Sequence, residues 1–123
     1  MHHLIYLIAA PGSLRHSLTV LLTALGTDQQ IEQFDAIGAA LRHESTESPT
    51  LIVCDVVVLD ANVLGELARL RSRWPCARLV VMSEDEALAA RLGHGAVVIT
   101  TGAAAARLRT TFGNLLCNVR MGV

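Results

Sequence analysis

Short, nearly unbroken apolar runs recur along this chain, each followed by a stretch with helical spacing. Leu4-Ile5-Tyr6-Leu7-Ile8, Leu51 to Leu59, Leu79 to Met82 and Ala96 to Thr100 are rich in Val, Ile and Leu. Runs that are apolar at consecutive positions suit strands covered on both faces, the situation of a parallel sheet. After the first run, Leu14, Leu18, Leu21, Leu22 and Leu25 repeat at helical spacing, with Ser13 as N-cap and Gly26 as the stop. Gln29 to Phe34 alternates weakly and is polar, so it reads as an edge strand. Further helices are predicted from Ala36 to about His43, through Val63, Leu64, Leu67 and Leu70 up to Trp74-Pro75, from Ser83 to Gly93 and Gly95, and from Ala103 to Cys117. Ser83-x-x-Glu86 forms a capping box for the fourth of these helices. Five strands alternating with five helices predict one doubly wound α/β domain over residues 1–123, a five-stranded parallel sheet with helices on both faces.

Composition narrows the function classes. The net charge is −1, with ten cations against eleven acidic residues. That balance shows no electrostatic footprint for direct nucleic-acid binding or for a membrane surface. Every cation is arginine, so mechanisms that need a Schiff-base or phosphate-pairing lysine are excluded. Aromatic residues are 3% of the chain, too few for a base-stacking platform. Cys54, Cys76 and Cys117 are widely spaced and odd in number, which argues against a disulfide framework or a zinc site and suits a cytoplasmic protein. No uncharged apolar run reaches the length of a membrane span. The five histidines show no ligand spacing, and Pro11-Gly12-Ser13 matches neither phosphate-loop pattern. Arg69 and Arg73, four apart with Glu66 nearby, read as a solvated helix face.

In a doubly wound sheet, function gathers at the carboxyl ends of the strands. Those ends are Ala9-Ala10-Pro11, Asp55-Val56-Val57, Ser83-Glu84 and Thr100-Thr101-Gly102. Asp55 stands out, because a bare carboxylate ending an apolar strand is costly to desolvate unless it finds a partner or meets solvent. Without a partner, its plainest role is a loop-start aspartate.

Across nearly the whole length, these segments resemble the receiver domain of two-component response regulators. Leu51-Ile52-Val53-Cys54-Asp55 is similar to that family's third strand, ending in the phospho-accepting aspartate. Leu79-Val80-Val81-Met82-Ser83 is similar to the fourth, ending in the hydroxyl residue beside the phosphoryl group. Gly95-Ala96 resembles the Gly-Ala before the fifth strand. The resemblance implies a flavodoxin-like (βα)5 fold, with Asp55 as the phospho-acceptor equivalent and Ser83 at the hydroxyl position.

It also exposes departures. The family's acidic pair after the first strand falls at Ala9 and Ala10, and its lysine falls at Thr101 or Gly102. The switch aromatic is replaced in the Val98-Ile99 stretch. With two carboxylates missing, Mg²⁺ binding is expected to be weak or absent, and no other cofactor is expected. The reading is an atypical receiver-like domain, not an enzyme, acting by contact with a protein partner or by self-association through residues 84–117. Val97, Val98 and Ile99 are expected to be buried, with Arg91, Arg107 and Arg109 as the polar positions that probe recognition. One alternative is a working phospho-receiver, the regulatory domain of a transcriptional regulator, phosphorylated at Asp55. The other is a flavodoxin-like small-molecule binder or enzyme with a ligand between Pro11 and Asp55.

Overall fold

A computed structural model describes residues 3–25, 29–44, 47–56, 60–84, 88, 92, 96–99 and 108–114. Its strands are β1 (His3–Ile8), β2 (Gln29–Phe34), β3 (Leu51–Asp55), β4 (Arg78–Met82) and β5 (Ala96–Ile99), and its helices include α1 (Ser13–Ala24), α2 (Ile37–Arg42) and α3 (Ala61–Arg73). Residues 108–114 are also helical. All strands are parallel, in the order β2-β1-β3-β4-β5. That order is one of the two common doubly wound arrangements, with the switch point between β1 and β3. Polar β2 takes an edge, as its pattern predicts.

Side-chain alternation along the strands divides the core into two layers. Leu4, Tyr6 and Ile8 of β1 pack with Ile52, Cys54 and Val81 beneath α2 and α3. Ile5 and Leu7 pack with Val53, Val80 and Met82 beneath α1 and the helical residues Leu108 and Phe112. Each inner strand therefore needs apolar residues at every position, which explains the unbroken runs. In α1, Leu18, Leu21 and Leu22 are buried, with Leu14 and Leu25 packed at the margin.

Local details depart from the expectations. Gly12, not Ser13, is the N-cap of α1, and no side chain caps that end. Gly12 has φ 157° and ψ −169°, a backbone region that side chains rarely enter, so the chain turns there and Ser13 becomes the first helical residue. α3 starts at Ala61, because the Asp60 carboxylate accepts from the Val63 amide at 2.8 Å. Val97 is 37% exposed rather than buried and Val98 is half-buried; β5 is an edge strand with one neighbour, so its outer flank lacks cover, while Ile99, on the same face as Val97, is buried in the layer with Leu108 and Phe112. Arg73 is not merely solvated. Its guanidinium donates to the Leu41 and His43 carbonyls at the end of α2 and lies 4.8 Å from the Trp74 ring centroid. Glu86 of the Ser83–Glu86 capping box, the stops at Gly93 and Gly95, and the ends of the Ala103–Cys117 helix lie outside the described residues. No helix among the described residues is long and apolar enough to cross a membrane.

Candidate functional site

The carboxyl ends of β1 and β3, the start of α2 and the second turn of α3 enclose a cleft of ≈ 310 Å³. Ile8, Ala9, Ile37, Val56 and Val63 give it an apolar floor, and Asp35, Asp55 and Glu66 bring carboxylates to it. Asp55 reaches the cleft because it is the last residue of β3, where the strand leaves the core. The Val56 amide then donates to the Met82 carbonyl at 2.8 Å, holding the two strand ends together.

Asp55 is half-buried, and burial holds its carboxyl above the ordinary aspartate value. Among the described residues no side chain donates a hydrogen bond to it and none forms an ion pair with it. The preceding Cys54 is fully buried. Burial, and then the negative charge of Asp55 and Glu66, pushes its thiol up to about 12. Cys54 therefore stays protonated and packs as a small hydrophobe.

Ser83 follows Met82, the residue in register with Asp55, so the two sequence-identified positions end adjacent strands. Ser83 is buried, and its amide donates to the Ile99 carbonyl at 3.0 Å. Ala9 is buried and Ala10 is exposed, both at the end of β1 beside Asp55 in the cleft. Thr101 and Gly102 lie outside the described residues, as do Arg91 and Arg107; Arg109 is described and exposed.

Three participants escape the sequence reading. Asp35 follows β2, and Arg15 donates to it at 2.7 Å while reaching toward the Ala9 carbonyl at 3.5 Å. The rule that strand ends gather function points to Asp35 as well, once the polar β2 is counted as a full member of the sheet. Glu66 carries no such signal. It lies one turn beyond Val63 on the helix, so both line the cleft only after α3 packs back on the sheet.

The resemblance implies a Mg²⁺ ion. Mg²⁺ holds its water tightly and is bound through carboxylates and phosphate oxygens. At the end of β1 the chain offers two methyl groups instead. Among the described residues no group of three or more His, Cys, Asp or Glu side chains is placed to hold a metal.

A scan against protein-family models finds no match, and a search of curated proteins finds no significant relative. Solved structures do match. A LuxR family DNA-binding response regulator from Silicibacter pomeroyi superposes with a TM-score of 0.78 at 21% identity, covering 94% of this chain and 93% of that one. A response regulator CheY-like protein from Mesorhizobium loti superposes with a TM-score of 0.69 at 14% identity, covering 92% and 99%. The fold is CheY-like. At these identities the likeness establishes the shared architecture. What this CheY-like domain does at the cleft is a matter of its own residues.

Proposed function

We propose that this CheY-like domain is an atypical receiver that signals through protein contacts, without Mg²⁺-dependent phosphorylation of Asp55 and without catalytic turnover. The observation that carries the reading is the pairing of Ala9 and Ala10 with Asp55 in one cleft. Phosphoryl transfer to an aspartate depends on cations that stabilise the transferring group. A metal-holding carboxylate pair is missing from that position and no lysine exists anywhere in the chain. Residues 84–117 are the proposed contact region, with Arg109 as its described, exposed arginine.

Two measurements test the reading. Calorimetry with MgCl₂ is expected to show no saturable site at submillimolar affinity, and incubation with acetyl phosphate and Mg²⁺ is expected to leave Asp55 unmodified by mass spectrometry. A submillimolar site abolished by Asp55→Ala, or Mg²⁺-dependent phosphorylation of Asp55, overturns it. Those outcomes would favour the second reading, a working phospho-receiver. The observation supporting that alternative is that Asp55 opens to the cleft while Ser83 ends the neighbouring strand.

A further inference from the structure

We infer that the outer edge of β2 joins two copies of this chain, antiparallel, about a two-fold axis between their Ile31 residues. The inference does not depend on Asp55, and it concerns the sheet edge opposite β5 and residues 84–117. β1 and β2 run in one-to-one register from His3↔Gln29 to Ile8↔Phe34, with no bulge. The Phe34 carbonyl accepts from the Ala9 amide at 3.0 Å, so Phe34 turns its backbone polar groups toward β1. Strand alternation gives Glu32 and Gln30 the same direction and aims the N–H and C=O groups of Gln29, Ile31 and Gln33 outward. Among the described residues no strand other than β1 pairs with β2. Natural edges are guarded by lysine, proline, a bulge or short length. β2 has six residues, Gln-Gln-Ile-Glu-Gln-Phe, and none of these devices, whereas β5 at the other edge has only four residues.

Self-complementarity decides the occupant. A two-fold axis normal to the sheet keeps each side chain on its own face, so an odd-numbered residue faces an odd one and an even an even. When Ile31 faces the second copy's Ile31, Gln29 faces its Gln33, and every outward group of residues 29–33 finds a partner. Each of these pairs exchanges two N–H···O=C bonds. Gln30 then faces the second copy's Glu32 in the closer, non-hydrogen-bonded position, where its amide donates to the carboxylate. Glu32 is the one charged residue of β2. Its Oε2 meets His43 Nε2 at 2.9 Å, and among the described residues its Oε1 is left for the second copy's Gln30. Sliding the pairing by two residues sets Glu32 against Glu32 in one direction and Gln30 against Gln30 in the other. Either slide also loses a hydrogen-bonded pair, so one register is selected.

A junction of one short strand pair belongs to the small, weak class of interfaces, so the test runs to high concentration. Sedimentation equilibrium of the full chain, up to about 1 mM, is expected to show a dimer that grows with concentration. Gln33→Pro removes an outward N–H at a place where an edge strand tolerates proline, and is expected to leave a monomer with unchanged circular dichroism. Gln30→Glu, at an exposed position, sets carboxylates face to face and is expected to weaken the dimer about fivefold, while Gln30→Lys tightens it by a similar factor. In a Cys76→Ser, Cys117→Ser background, Ile31→Cys is expected to form a disulfide dimer in oxidised glutathione, because facing residues of a hydrogen-bonded pair lie about 5.5 Å apart. Gln30→Cys in the same background is expected to stay monomeric. A monomer at every concentration, a dimer that persists in Gln33→Pro or ignores both charges at position 30, or crosslinking through Gln30→Cys alone overturns the inference. A dimer lost in Arg109→Glu but kept in Gln33→Pro would belong to residues 84–117, overturning the edge pairing while supporting the proposed contact region.

Discussion

Asp55→Asn is expected to stabilise the domain at neutral pH and to have no effect in acid. The carboxylate sits at the end of β3 with no cationic partner among the described residues, and burial raises its proton affinity above that of the unfolded chain. Between the ordinary value of 3.8 and the raised folded value, the native state binds more protons than the unfolded state. Stability then falls as pH rises through that window, and the penalty is complete above it. Asparagine keeps the shape and removes the charge. A tenfold difference in proton affinity between folded and unfolded chains corresponds to about 1.4 kcal/mol, but water reaches this carboxylate through the open cleft and screens much of any such effect. A gain smaller than the roughly 1 kcal/mol that one ordinary hydrogen bond contributes is therefore expected. Urea melts of both proteins at about pH 7 and about pH 3 measure it, since the lower value lies below the unfolded aspartate's titration. A loss beyond about 1 kcal/mol at neutral pH would refute the reasoning, because a loss of that size is what removing a real hydrogen-bond partner costs. An equal gain at both pH values would refute it too, since the effect would not then come from charge.

Three further outcomes follow from the packing. Asp60→Ala removes the acceptor for the Val63 amide and should cost about 1 kcal/mol in the same melts, with Asp60→Asn recovering most of it. Leu22→Ala hollows the layer beneath α1, where Leu22 is fully buried, and should cost about 3 kcal/mol; a cost below about 1 would mean that α1 does not pack as described. In a Cys117→Ser background, a thiol reagent should modify exposed Cys76 quickly, while Cys54 reacts only on unfolding because burial keeps it protonated.

The sequence by itself determined the strands. Continuous apolar runs have one use in a small α/β chain, and the buried layers on both sides of β1, β3 and β4 are their direct consequence. It also determined the edge place of β2, the position of Asp55 at a strand end, and the absence of any lysine, since these depend on local pattern or on composition alone. Helix starts were less legible. Gly12 and Asp60 cap α1 and α3 through backbone geometry and one short hydrogen bond, which periodicity does not register. What only the tertiary structure decided are the partnerships between distant residues. Arg15 meets Asp35 because α1 and β2 flank the same end of β1, and Glu66 joins Asp55 because α3 packs back across the sheet. Arg73, one of several arginines on a helix face when read in sequence, finds the carbonyls of Leu41 and His43 only once α2 lies beside α3. Each of these pairings depends on directions set by the order of the strands, and that order is a property of the assembled sheet rather than of any segment within it.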